Sequence, residues 1–323
     1  MTALLLFVAF VAGAAWYVGW ASHWIAHGAA AWWFVLGAPV AYFSPAFVLV
    51  TICFAASWIW RTPRPPEAGL GFGSALRLYL TEIWTVGLSW PLMVLHRLLI
   101  HDPLPAPGAR PVVLIHGVLV NDGVWLLVRR FLARTGVAPV YTMNYGPPLA
   151  DIELFAEQLH TRIEQILNAT GAARVVLVSH SMGGLVARAY LRRCGSQRVE
   201  KLIAIGAPHH GSVLAYTFPG LCLAQMHPGH PWLVELNRDE ARAAPVPITS
   251  IWSRHDSMVA PQASSVLGNA ESIALVGIAH NALLVDRQVM ALILSEISKT
   301  GGPLGATIGG VRGPQAPRRD DRP

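Results

Sequence analysis

Ser181 is the residue of this 323-residue chain whose setting points most directly to chemistry. It lies in Val175-Val176-Leu177-Val178-Ser179-His180-Ser181-Met182-Gly183-Gly184-Leu185-Val186-Ala187-Arg188, which reads as a strand, a tight turn and a helix. A serine hydroxyl is a weak nucleophile until a turn exposes it and a base takes its proton. A sharp turn can expose it only if the residues two before and two after are small, and Ser179 and Gly183 meet that demand. An ordinary strand-to-helix turn would look similar, with Ser181 as a helix N-cap. Other reactive residue types form weaker patterns. Cys53, Cys194 and Cys222 build no framework; at most Cys194 and Cys222 could pair. No CxxC or HExxH spacing occurs, and His23 and His27 lack a third ligand, so neither a metal nor a cofactor is expected. Gly71-Phe72-Gly73 is a lone GxG without a strand before it and carries no dinucleotide signal.

The 175–188 segment resembles the nucleophile elbow of α/β-hydrolases, with Ser179 where that family usually has glycine. Upstream, Val112-Val113-Leu114-Ile115 runs into His116-Gly117-Val118, followed by Asn121, Asp122, Gly123 and Trp125, which looks like the oxyanion loop of bacterial lipases and esterases. The resemblance implies that the backbone N–H groups of Val118 and Met182 hold the oxyanion, each such donor lowering a barrier by about 3–4 kcal/mol. It gives His116 a part in shaping the loop. The family runs nucleophile, acid, histidine along the chain. Asp256 follows the strand-like run at 248–252, and His280 lies between another such run and a helical stretch at 285–297. By resemblance, His280 takes the proton of Ser181 and returns it to the leaving group, while Asp256 fixes its tautomer. His255 adjoins the acid and Asp286 comes after the histidine, so both rank below these two.

Gly206-Ala207-Pro208-His209-His210-Gly211-Ser212 resembles a phrase that many lipases carry before their lid. The following residues, about 212–246, hold an apolar inventory broken by Pro219, Pro228 and Pro231. A lid is expected here, with Tyr216, Phe218, Leu221 and Trp232 as substrate-binding candidates; a packed insertion covering the sheet would share the composition. The resemblance covers roughly residues 111–297. Secreted lipases of this kind often carry a disulfide reaching toward the histidine, and no cysteine here lies beyond Cys222, which agrees with a reducing or membrane-tethered setting.

The elements that must hold these residues divide sharply by composition. The chain is 53% hydrophobic and 13% charged, against about 25% charged for ordinary soluble domains. Residues 1–60 contain no Asp, Glu, Lys or Arg, so all 24 basic and 18 acidic residues fall between Arg61 and Pro323. Residues 2–20 and 31–60 are apolar over bilayer-spanning lengths. A cleaved signal peptide is the rival for the first run, but basic residues are missing near its start and a second long run follows. Arg61 and Arg64 close the second run, and the positive-inside rule places that flank in the cytoplasm, with the amino terminus on the same side. Residues 83–95 are short for a span and interrupted by Pro91, so an amphipathic interfacial helix is expected there; a third span would move the catalytic domain to the other side of the membrane. The net charge of +6 is scattered through flanks and tail, so nucleic acid is not an expected partner.

From residue 111 onward, strand-like runs at 111–115, 139–144, 174–179, 199–205, 248–252 and 273–276 alternate with helical periods. One such period carries Ile152, Phe155, Ala156, Leu159, Ile163, Ile166 and Leu167 behind Asp151 as N-cap. The alternation predicts an α/β chain with a mostly parallel, doubly covered sheet, the α/β-hydrolase fold with a lid insertion, preceded by a transmembrane helical hairpin. The expected organisation is a membrane anchor at 1–60, the interfacial helix and a Pro-rich linker at 61–110, a hydrolase domain at 111–299 and a disordered tail at 300–323. The expected activity is membrane-anchored serine hydrolysis of carboxylic esters, of lipids or acyl chains, at a bacterial inner membrane with the domain facing the cytoplasm. An acyltransferase or thioesterase would use the same three residues. A non-catalytic membrane adaptor with a hydrolase-like shell is the alternative from another class.

Overall fold

Six strands form one sheet: β1 (Val112–Ile115), β2 (Val140–Met143), β3 (Val175–His180), β4 (Val199–Ile205), β5 (Ile248–Ser253) and β6 (Glu271–Leu275), with β1 the richest in β-branched residues. The computed structural model describes residues 2–300 apart from Pro107. The expected tail, Thr300 excepted, lies outside the described residues. Every strand pairing is parallel and the order is β2-β1-β3-β4-β5-β6. Parallel neighbours require crossovers that cover both faces. On one face α6 (Ile152–Thr170) and α7 (Gly183–Cys194) bury Phe155, Ile163, Leu185 and Tyr190. On the other, α5 (Leu126–Arg134) and α10 (Arg287–Lys299) bury Leu132, Val289 and Ile293 with Trp125. The α/β-hydrolase sheet expected from the sequence is the one observed.

The chain leaves β1 toward one edge and, after β2, crosses back to continue toward the other edge through β3. The crevice of such a sheet opens where the order reverses, at the carboxyl ends of β1 and β3. Residues 116–118 and Ser181 stand there, one immediately after β1 and the other immediately after β3.

The apolar amino-terminal runs form two long helices, α1 (Thr2–Ala26) and α2 (Ala31–Ile59), each long and apolar enough to cross a membrane. They touch through Trp20 and Phe34, edge to face at 5.2 Å, and through the Tyr17 hydroxyl, which donates to the Phe34 carbonyl at 2.6 Å. The interfacial helix expected at 83–95 is longer, and α3 occupies Phe72–Val94. It runs antiparallel to α2, with Phe43 on Trp84 and Phe47 and Phe54 on Tyr79. Pro91 does not break it. A proline removes the bond to the carbonyl four residues back, and that carbonyl, Gly87, instead accepts from the Tyr42 hydroxyl at 2.8 Å. Short helix α4 (His96–Leu99) follows. The 212–246 insertion folds into a 3-10 turn at Val213–Thr217, then α8 (Leu221–Gln225) and α9 (Pro231–Leu236). All three cysteines are free.

Candidate active site

Ser181 has φ of 55°, in the left-handed region that a non-glycine residue enters at a cost of about 1–3 kcal/mol. Its N–H donates to the Ile205 carbonyl at 2.9 Å, and its own carbonyl accepts the Gly184 N–H at 3.0 Å as α7 begins. The turn needs the small residue read at 183: a Cβ there would stand 2.5 Å from the Ile115 carbonyl oxygen. Ser179, where glycine was the family expectation, fits because its hydroxyl is buried and donates to the Ile203 carbonyl at 3.3 Å.

Asp256 leaves the loop after β5 and His280 precedes a 3-10 turn at Asn281–Leu284; both are buried. Asp256 Oδ2 lies 2.8 Å from His280 Nδ1. The other carboxylate oxygen accepts the N–H groups of Met258 and Val259 at 2.8 and 2.7 Å, which fixes its orientation. Burial pushes the imidazole of His280 down, and the charge and hydrogen bond of Asp256, with the charge of Glu82, outweigh it, so the ring sits above its ordinary value. His180, one residue before Ser181, reaches the same place, with its Nε2 3.1 Å from the His280 carbonyl oxygen and the two rings 4.7 Å apart. Among the described residues no hydrogen bond holds the Ser181 hydroxyl.

The loop after β1 lies against this turn. A Cβ on Gly117 would stand 2.9 Å from Ser181 Cβ and 3.4 Å from its hydroxyl, so glycine alone fits without displacing the serine. Among the described residues neither the Val118 nor the Met182 N–H donates to another backbone group. Met182 opens α7, whose N-terminal end favours negative charge. His116 is pushed down to about 4 by burial, and its ring stacks on Tyr145 at 4.1 Å. A histidine with so little affinity for a proton, packed under Tyr145, is poorly suited to act as a general base.

The sequence competitors take structural roles. Asp286 caps α10, accepting from Gln288 N–H at 2.8 Å and Val289 N–H at 3.2 Å. Burial and the neighbouring Arg64 push His255 down to about 4, and its Nδ1 accepts the Gly277 N–H at 3.2 Å. Of the expected substrate-binding residues, Tyr216, Phe218 and Leu221 are 61%, 49% and 64% exposed on the insertion, whose first turn packs against α2. Trp232 is not brought with them. It lies on the flank of α6 and α7, its indole N–H donating to Glu153 at 2.8 Å and Arg192 over its ring.

Two residues of this neighbourhood were not singled out from the sequence. Tyr145 donates its hydroxyl to the His116 carbonyl and, at 3.2 Å, to that of Gly117. Glu82 of α3 is fully buried beside His280. A carboxylate at 82, in register with Leu78 and Val86 on the buried face of α3, was the visible signal.

A family model described as PGAP1-like alpha/beta domain matches residues 140–295. The triacylglycerol lipase of Pseudarthrobacter phenanthrenivorans is 36% identical over 113 residues, covering 32% of this chain and 35% of that protein. The triacylglycerol lipase of Burkholderia plantarii is likewise 36% identical over 113 residues, 32% of this chain and 31% of its own length. The match thus takes in about a third of each of these relatives. Among solved structures, Aspergillus fumigatus lipase B superposes with a TM-score of 0.56 at 24% identity, over 64% of this chain and 58% of that one. Bacillus licheniformis lipase BlEst2 gives 0.54 at 17% identity, over 61% of this chain and 96% of that one.

Proposed function

We propose that this chain, a lipase-like α/β-hydrolase by fold and partial sequence similarity, is a membrane-anchored serine hydrolase of carboxylic esters. The observation that carries the proposal is the buried Asp256–His280 pair, 2.8 Å apart at the sheet end where Ser181 stands on its strained turn. In this mechanism Ser181 Oγ attacks the ester carbonyl carbon as His280 takes its proton, and Asp256 stabilises the imidazolium. The carbonyl oxygen becomes an oxyanion held by the Val118 and Met182 N–H groups. Collapse breaks the bond to the leaving alkoxide, which receives the proton from His280, and leaves Ser181 acylated. Water, deprotonated by His280, then releases the carboxylic acid and restores the serine.

Lipid or acyl esters are the substrate class this reading favours. The matched relatives are triacylglycerol lipases, and the exposed Tyr216, Phe218 and Leu221 lie on an insertion adjoining α2. We read this insertion as the lid. The α1–α2 hairpin anchors the protein: its outer faces leave Trp16, Trp33, Leu36 and Val40 exposed, a surface suited to hydrocarbon. Phe72, Leu76, Leu80, Trp84 and Leu88 extend that surface along the outer side of α3. By the positive-inside rule, Arg61 and Arg64 support a hydrolase domain on the cytoplasmic side of an inner membrane. Replacing Ser181 by Ala tests the reading: ester turnover should fall by about 10⁴-fold or more, and unchanged hydrolysis by folded Ser181→Ala protein rejects it.

A further inference from the structure

Glu82 belongs to α3, outside the sheet and outside the Ser181 turn, and it is 0% exposed. Its carboxylate receives four hydrogen bonds. Oε1 accepts the Ser257 hydroxyl at 3.1 Å, the Asn281 N–H at 3.0 Å and the Asn281 side-chain amide at 2.8 Å. Oε2 accepts the Ala282 N–H at 3.0 Å. Every donor flanks a member of the acid–histidine pair, since Ser257 follows Asp256, and Asn281 and Ala282 follow His280. The Ser257 hydroxyl oxygen also faces the His280 N–H at 3.4 Å, which makes a chain from the main chain of His280 through Ser257 to Glu82.

We propose that Glu82 is a positioning residue for His280: its carboxylate fixes the main chain on both sides of the histidine and aims the ring, already held on Asp256, at Ser181. The inference rests on the hydrolase reading above. A buried carboxylate is an expensive way to glue a helix to a domain, because its desolvation costs several kcal/mol and apolar packing of similar volume does as well. Here its hydrogen bonds go to the two loops that carry Asp256 and His280, and α3 is the helix lying between those loops and the membrane hairpin. Burial pushes the Glu82 carboxyl above its ordinary value, and the hydrogen bonds of Asn281 and Ala282 with the charge of His280 oppose that rise; three of the four donors are N–H groups, which can only donate and so favour the deprotonated form.

Glu82 also places a second negative charge near the imidazole. The titratable groups facing His280 are Asp256 from the loop after β5, Glu82 from α3, and His180 from the end of β3, with the Cys53 thiol of α2 near both carboxylates. Burial, aided by the proximity of His280, holds His180 well below its ordinary value, so it stays neutral. The two carboxylates are therefore what keep His280 above its ordinary value. Removing the charge at 82 lowers the His280 pKa and moves the acid limb of kcat/KM to lower pH.

The test uses the full-length protein in detergent micelles with a p-nitrophenyl ester, rates being normalised to sites titrated by a fluorophosphonate. Glu82→Gln should lower kcat per titrated site by about 10- to 100-fold, leave KM within about threefold and shift the acid limb downward. Glu82→Asp, which keeps the charge, should retain the wild-type acid limb and recover part of kcat. A purely structural role would reduce the number of titrated sites while leaving kcat per site and the acid limb unchanged, and that result overturns the proposal. If Glu82→Gln does not fold, Ser257→Ala decides, because it cuts the link to the His280 N–H and leaves the other three bonds on Glu82. A drop in kcat per site of about fivefold or more supports the proposal, and wild-type kcat overturns it. Wild-type protein that neither hydrolyses nor labels is a distinct failure, that of the hydrolase reading itself.

Discussion

Tyr145 lies flat on His116, ring centroids 4.1 Å apart, and donates its hydroxyl to the carbonyl oxygens of His116 and Gly117. Burial holds the phenol protonated, so it is always a donor. The two carbonyls are thereby turned to Tyr145, and on the proposed reading the next N–H, that of Val118, is the one that serves the substrate. Tyr145→Phe keeps the stacking and frees the loop. We expect kcat/KM to fall about tenfold, the worth of roughly one buried hydrogen bond, with a small loss of Tm. Unchanged kcat/KM in steady-state assays would show that the loop needs no clamp.

The pH dependence follows from His280. The ring must be neutral to accept the Ser181 proton, and it sits above its ordinary value, so the acid limb of kcat/KM should fall above about pH 6.5. His116 and His255, both pushed down to about 4 by burial, add no limb between pH 5 and 8. In Asp256→Asn the residual activity should show the limb at lower pH, since, of the two charges that raise His280, the one with the larger effect is gone. A rate profile from pH 5 to 9 with a wild-type midpoint below pH 6 would contradict this assignment of the base.

The strands β1 and β3 were legible because the runs at 112–115 and 175–178 are continuous, apolar and largely β-branched, as a doubly covered parallel sheet requires. Asp151 as N-cap was legible too, and its side chain accepts the Glu153 N–H at 2.8 Å. The limits of α3 were not, because its opening Phe72-Gly73-Ser74 has no cap signal and Pro91 suggests a break that the Tyr42 hydroxyl repairs from another helix. Glu82 and Tyr145 escaped for the same kind of reason. Their partners lie across the chain at Ser257, Asn281, His116 and Gly117, and no local pattern marks such pairings.

Lys201 and Glu296 form a buried ion pair at 2.5 Å beneath the sheet, with Thr249 donating to the same carboxylate at 2.7 Å. Burial alone would raise Glu296; hydrogen bonds from Lys201, Lys299 and Thr249 more than reverse that and hold it down to about 2. Its folded value lies below its unfolded value, so the stability it contributes is present above about pH 4.3 and is lost as pH falls through about 2. Glu296→Gln leaves Lys201 buried without its counter-charge and should cost about 3–5 kcal/mol at neutral pH. Chemical denaturation of the two proteins reads this directly, and a cost under about 1 kcal/mol would mean that water reaches the pair.

Chain-length preference tests the exposed apolar residues of the insertion. Each methylene buried adds about 0.8 kcal/mol of potential binding, so medium or long p-nitrophenyl esters should exceed acetate in kcat/KM. Phe218→Ala should flatten the series and leave acetate turnover nearly intact. Trp232→Ala, on the flank of α6 and α7, should leave the series unchanged. A maximum at acetate would make the insertion packing alone.

The orientation prediction is checked on intact cells with Asn168→Cys, exposed on α6, in a Cys194→Ser background. An impermeant maleimide should not label it until the membrane is opened. Ready labelling would put the hydrolase domain on the outer side.

The identity of the nucleophile is tested most directly by mapping the adduct of a fluorophosphonate on the full-length wild-type protein by mass spectrometry. The adduct should lie on the peptide containing Ser181, disappear in Ser181→Ala and form far more slowly in His280→Ala. Folded wild-type protein that hydrolyses esters while Ser181 stays unmodified, or that carries the adduct on another residue, would contradict the assignment.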